Sequence, residues 1–195
     1  MTTTLRKTAL GIAGLTLAGG AITAPALAAD HTPLTTHTTA LATTNDNTDT
    51  TTLTPHGTQG TQSHIDLDDE QTTNAKTIIT TTKKAGMNQR AAVIATATAL
   101  QESKLENLGH LGDRNDHDSQ GLFQQRPSSG WGTVEQITDP EHSTTAFLDA
   151  LKQVDGWQDM ALTDAAQTVQ VSAYPDHYAQ WETQAAELVA THWNS

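Results

Sequence analysis

Asn88 to Gln125 reads NQRAAVIATATALQES, then KLENLGHLGDRNDHD, then SQGLFQQ, and its first part decides the fold. Asn88 is a good helix N-cap, because its side-chain oxygen can accept an orphan backbone N–H of the first turn. Behind it Ala91, Ala92, Val93, Ile94, Ala95, Ala97, Ala99 and Leu100 leave no polar face. A helix that is apolar all round belongs in the middle of a domain. The pattern therefore predicts a buried central helix over Asn88–Ser103, with the other elements packed about it. Near its C-terminal end stands Glu102. The negative end of the helix dipole disfavours a carboxylate there, and so does the apolar helix behind it. Both push the carboxyl toward its protonated form, which a general acid needs at neutral pH.

Outward from this helix the chain predicts further helices and little else. Asp68, Asp69 and Glu70 suit a helix N-terminus. Ala75, Ile78, Ile79 and Thr82 follow at helical spacing, Lys83 and Lys84 fit the last turn, and Gly86 fits the C′ position. Leu105–Ser119 is a loop, and Gly121–Gln125 a short strand or extended turn. Thr133 and Gln136 form a capping box, and Asp139-Pro140 an N-cap followed by proline at N1. Thr163 is expected to cap the next helix, and Pro175-Asp176 to open the last one, which runs through Trp181, Ala185, Leu188 and Val189. The expected fold is mainly α with a small β element, in a single domain over residues 71–195.

The first seventy residues are different material. In residues 1–28, Arg6 and Lys7 precede an apolar stretch from Leu10 to Ile22, and Ala26-Leu27-Ala28 ends it with small residues. That is the pattern of a secretory signal peptide cleaved after Ala28. The apolar stretch is short for a membrane span, and no other approaches the ~20 residues one requires. Residues 29–70 are Thr-rich, with 14 threonines in 30–62, and no aromatic residue precedes Phe123. Such a segment buries too little apolar surface to offset its ordering entropy, so a disordered linker is expected. There is no cysteine, which excludes disulfides and thiol chemistry. The chain carries 10 Lys and Arg against 22 Asp and Glu, a formal charge of −12. The only charges before Asp30 are Arg6 and Lys7, so the exported chain is more acidic still. That argues against nucleic acid and anionic membrane surfaces, which demand basic patches.

Three short motifs then stand in order: Glu102-Ser103, Gly121-Leu122-Phe123-Gln124 and Ala173-Tyr174. Together they resemble the motif series of the lytic transglycosylases and goose-type lysozymes, over roughly residues 72–195. The resemblance implies a lysozyme-like fold of the soluble-transglycosylase type, in which the Glu-Ser pair ends the central helix and the Gly-Leu-x-Gln strand faces it. A tyrosine lies across the cleft. It implies an exported enzyme, secreted and wall-associated, that cuts peptidoglycan between N-acetylmuramic acid and N-acetylglucosamine. Glu102 is then the general acid and base, and Ser103 supports it. Gln124 hydrogen-bonds substrate or positions Glu102, and Tyr174 lies across the cleft. Asp113, Asp116 and Asp118 could each supply a second carboxylate, and because Gly112-Asp113-Arg114 resembles the segment that carries a second acidic residue in goose-type lysozymes, Asp113 is the first candidate. A further aspartate of the goose-type pattern is missing, its place taken by Gln125-Arg126-Pro127. The single glutamate favours the non-hydrolytic route to a 1,6-anhydro product.

All eight aromatic residues fall between Phe123 and Trp193. Phe147 and Trp181 lie on helical stripes and suit the core. Trp131, Trp157 and Tyr174 lie in or next to loops, where an exposed ring can stack on a sugar, and Trp131 is the candidate substrate platform beside Tyr174. His110 and His117 flank Asp113, Asp116 and Asp118, but their spacing matches no metal loop. No metal or cofactor is expected, and by the resemblance the expected partner is the peptidoglycan glycan strand, with the protein acting as a monomer. The alternatives are a muramidase-type hydrolase on the same fold, a non-catalytic glycan-binding module, and an adhesive exoprotein in which Glu-Ser is chance.

Overall fold

The computed structural model describes residues 50–195. The signal-peptide reading, and the linker reading up to residue 49, lie outside the described residues. The architecture is mainly helical. The six α-helices among the described residues are α1 (Asp69–Lys84), α2 (Gln89–Ser103), α3 (Val134–Ile137), α4 (Pro140–Leu151), α5 (Leu162–Gln170) and α6 (Glu182–His192). Short 3-10 turns join them. The expected β element shrinks to one antiparallel bridge between Gln120 and Gln125, which closes a tight turn over Gly121–Gln124. No helix among the described residues is long and apolar enough to cross a membrane.

α2 is the axis of the fold. Every residue from Arg90 to Leu100 is buried, and α1, α4, α5 and α6 all pack on it. Its cap is the expected one, with Asn88 Oδ1 accepting from Ala91 N–H at 3.1 Å. α1 begins with a full capping box at Asp68 and Gln71 and ends at Ala85, with Gly86 at positive φ. The boxes and caps at Thr133 and Asp139 also form.

Two expected starts are corrected. Thr163 is not a cap: α5 starts at Leu162, and the Thr163 hydroxyl donates to Pro175 O across the fold. Pro175-Asp176 does not open the last helix. Pro175–His177 is an exposed turn, a 3-10 turn covers Ala179–Trp181, and α6 starts only at Glu182. The pair has the right residues for a cap, but Trp181 and Tyr178 are both buried, and their burial fixes where the chain can turn.

The linker expectation is corrected between residues 53 and 68. Leu53 is buried in the core, and its carbonyl accepts from Arg90 Nη1 at 2.9 Å. Ile65 and Leu67 pack on the same core. The composition is still that of a linker. What orders this segment is the packing of these three side chains together with hydrogen bonding to α6 and its preceding turn, which the composition does not register.

Candidate active site

α2 delivers Glu102 to the floor of a cleft of about 790 Å³. The helix ends with Lys104 and Leu105 both in the left-handed region, at φ 58° and 66°. Such backbone costs roughly 1–2 kcal/mol per non-glycine residue. It is held by the full burial of Leu105 and by two side chains of α1. Gln71 Nε2 donates to Lys104 O at 2.9 Å, and Asn74 Nδ2 to Leu105 O at 2.8 Å. The chain therefore turns sharply away beyond Ser103 and leaves Glu102 facing open space.

The Gly-Leu-Phe-Gln turn forms the adjoining wall, and the structure explains its glycine. Gly121 sits at φ 79°, and a Cβ there would lie 2.0 Å from Ile137 O. Only glycine permits this approach, which is locked by Gly121 N–H donating to Leu108 O at 2.7 Å. Ser103 Oγ donates to Leu122 O at 2.8 Å, and Gln170 Nε2 to Phe123 O at 2.8 Å. These two bonds tie the turn to α2 and α5. Phe123 stacks on Phe147, with centroids 4.9 Å apart.

The carboxyl of Glu102 is raised above its usual range. Burial is the main cause, and the nearby Asp116 charge adds slightly to it. The Tyr178 hydroxyl, the Gln170 amide and the Lys104 charge oppose it. Tyr178 is fully buried and donates to Glu102 Oε1 at 2.6 Å. Its own phenol is pushed up, first by burial and then by the Glu102 charge, so it remains a donor. Lys104 Nζ donates to the end carbonyl of Leu100 at 3.0 Å and sits 4.6 Å above the Trp181 ring. It answers the negative helix end in the way such a terminus favours.

Four of the expected site residues line the cleft: Glu102, Gln124, Trp131 and Tyr174. Tyr174 is 64% exposed and stacks on His177, which leaves its other face free. Gln124 bonds the backbone of its own turn, donating to Gly121 O at 2.9 Å. Two expected residues stand elsewhere. Ser103 is buried, and its hydroxyl is spent on the backbone of Ala99 and Leu122, so it holds two motifs together. Asp113 is exposed on the 3-10 turn Gly112–Arg114 and does not line the cleft. Asp116 does, although its carboxylate also pairs with His117 Nδ1 at 2.6 Å. Asp118 is a staple. It accepts from Ser128 N–H and Oγ, at 2.8 and 2.7 Å, and from Arg126 Nε, and these bonds hold its carboxyl down to about 2. Trp157 is buried in the core. Among the described residues no cluster of three or more His, Asp and Glu side chains is arranged to hold a metal.

Sequence reasoning missed Tyr178 and Gln170, and it ranked Asp113 ahead of Asp116, the one of the two that lines the cleft. Tyr178 lies in PDHYAQWE, three residues before the buried Trp181, and that i, i+3 spacing of aromatics was its one available signal. Gln170 had none, since a glutamine at a helix end is ordinary.

Chemically, the cleft offers one carboxyl poised to hold a proton, a buried hydroxyl aimed at it, exposed aromatic faces, and neutral amides and hydroxyls along its walls. No protein-family model matches the chain, and no curated protein matches its sequence.

Proposed function

We propose that this chain is an exported peptidoglycan-cleaving enzyme of the lytic transglycosylase type, on a lysozyme-like helical domain. The observation that carries the reading is Glu102, with its carboxyl raised by burial and bonded by Tyr178 on the floor of an open cleft. The three motifs come together at one cleft: Ser103 bonds the backbone of Gly121–Gln124, and Tyr174 lines the same cleft as Glu102.

Protonated Glu102 gives its proton to the glycosidic oxygen between N-acetylmuramic acid and N-acetylglucosamine. The C1–O bond breaks, and its electron pair stays with the leaving oxygen. The 6-hydroxyl of the same muramic residue then attacks C1, and the Glu102 carboxylate takes the hydroxyl proton. The carboxyl is restored, a 1,6-anhydro ring closes, and no water is consumed. One carboxyl serves both steps because its raised value lies nearer the working pH than an ordinary glutamate's. Trp131 and Tyr174 offer faces for sugar rings, and Gln124 a polar contact at the turn.

A second reading rests on Asp116. It lines the same cleft and its charge reaches Glu102, which suits it as the second carboxylate of a muramidase-type hydrolase. Mass spectrometry of digested purified cell wall separates the two. Anhydro-muramic ends are expected. Reducing ends, abolished by Asp116→Asn, would transfer the chemistry to the hydrolase. Intact wall that still retains the protein would leave only a glycan-binding module.

A further inference from the structure

Tyr178 reaches Glu102 from a stretch that has little regular structure of its own. Val171 and Ala173–His177 are exposed, and only a three-residue 3-10 turn, Ala179–Trp181, leads into α6. Beside the burial of Tyr178 and the bond from Thr163 to Pro175 O, much of what fixes this stretch comes from far away in the chain. Gln62 Nε2 donates to Ala179 O at 3.0 Å, while Gln62 Oε1 accepts from Thr183 N–H and Thr183 Oγ1, both at 3.0 Å. Ser63 N–H donates to Gln180 O at 2.7 Å, and Ser63 Oγ donates to Gln180 Oε1 at 2.7 Å. From the other side, Gln180 Nε2 and Trp181 Nε1 both donate to Gln101 Oε1, at 3.0 and 2.8 Å. Gln101 is the residue just before Glu102. The Gln180 amide is thus a bracket, with Ser63 on its oxygen and Gln101 on its nitrogen.

We propose that Gln62 and Ser63 are positioning residues of the active site, which clamp Ala179–Thr183 so that the Tyr178 hydroxyl is held on the Glu102 carboxyl. The proposal rests on the reading of Glu102 as the proton donor only for its effect on activity. The geometric claim stands by itself. Neither residue lines the cleft, so they act on it only through the Ala179–Thr183 stretch that carries Tyr178 into place. A hydrogen bond to a catalytic group tolerates little play, and a misplacement of about 1 Å can cost on the order of 10²-fold in rate. The strap continues at Ile65, whose N–H and C=O both pair with the Gln184 amide, at 3.1 and 2.7 Å. That pair lies beyond the bracket and supplies a control.

The test uses the full chain with Gln62→Ala and Ser63→Ala combined, against Gln184→Ala. The readout is the 13C NMR titration of the Glu102 carboxyl, assigned by its loss in Glu102→Gln. The other groups that act on this carboxyl, Lys104, Asp116 and Gln170, are untouched in all these variants. Tyr178 holds the carboxyl down against burial, so its loosening should move the midpoint upward in the double variant. Gln184→Ala should cost thermal stability and leave the midpoint in place. On cell wall the double variant should lose roughly tenfold in kcat, within the range for a misplaced catalytic group, with KM nearly constant. Should the double variant fail to fold, Gln62→Ala alone is titrated in its place. A folded variant whose Glu102 titrates as in wild type overturns the proposal. A shifted midpoint in a protein whose wild type leaves cell wall intact upholds the positioning and sinks the enzymatic reading instead.

Discussion

The two walls that meet at Glu102 are held by different forces. On one side, α2 is buried from Arg90 to Leu100, and the turn over Gly121–Gln124 is wedged against Ile137 and Phe147. Packing of this kind tolerates little change, because interiors are as dense as organic crystals. On the other side, Val171–Trp181 is an irregular stretch held by amides: Gln62, Gln101, Gln180 and the backbone. Each neutral bond is worth only about 1 kcal/mol net. The rigid wall carries Glu102, and the adjustable wall carries the hydroxyl that bonds it and the exposed Tyr174.

The largest effect that can test this contrast comes from the rigid wall. Glu102→Gln should remove about 10²–10⁴-fold of wall-cleaving activity while leaving binding to insoluble peptidoglycan intact. Loss of less than tenfold in a digestion assay would mean that Glu102 is not the acid. Wild-type activity should fall as pH rises through the raised value of Glu102, since only the protonated form donates. Stability follows the same sign. The folded chain keeps this proton to a higher pH than the unfolded chain, so the linked stability is full at low pH and is lost as pH rises through the raised value. Denaturation series should show Glu102→Gln gaining on wild type as pH increases.

Next in size is the tie between the walls. Arg90, at the start of α2, forms a buried pair with Glu182, the first residue of α6, and its guanidinium also caps Leu53 O. Arg90→Leu leaves a buried carboxylate without its partner, which typically costs about 3–5 kcal/mol. Chemical denaturation measures this. A loss under 1 kcal/mol would show that the pair contributes little. The wild-type protein should also resist protease from Leu53 onward, and cleavage between Leu53 and Asp68 with the remainder intact would restore the linker.

Tyr178→Phe probes the adjustable wall. It deletes a bond that favours the ionised form of Glu102, so the Glu102 midpoint should move up. Activity at neutral pH should fall by less than in Glu102→Gln, because the proton is still there. An unchanged midpoint would show that the hydroxyl orients nothing.

The smallest change is expected at Asp113, exposed and off the cleft. Asp113→Asn should keep activity within a few-fold and stability within about 0.5 kcal/mol. A hundredfold drop in kcat would return Asp113 to the chemistry and break the one-carboxyl account.

Much of the rigid wall was legible beforehand. Asn88 and Asp139 announce caps because capping is settled between neighbours three residues apart. The all-apolar face of Ala91–Leu100 announces burial because no other environment suits it. Glu102 was legible for the same local reasons, and the glycine of Gly-Leu-Phe-Gln was legible only as a motif, its cause being a carbonyl on α3. The adjustable wall was not legible. Gln62, Gln101, Gln170 and Gln180 are ordinary surface residues by type, and an amide gives no hint of its partner.

The sequence by itself determined the helical composition, the central helix, its caps, and the presence of a carboxyl at its end, since each follows from propensity, periodicity and contacts within one or two turns. Only the tertiary structure decided that Tyr178 rather than Tyr174 bonds that carboxyl, and that Asp116 rather than Asp113 shares its cleft. It also decided that Ser103 binds backbone, and that a Thr-rich stretch which resembles a linker is strapped onto α6. Each of these depends on hydrogen bonds or charges between groups distant in the chain. Such bonds are directional and short, so a residue's partner is fixed by where the packed helices leave it, and nothing in its neighbours along the sequence records that position.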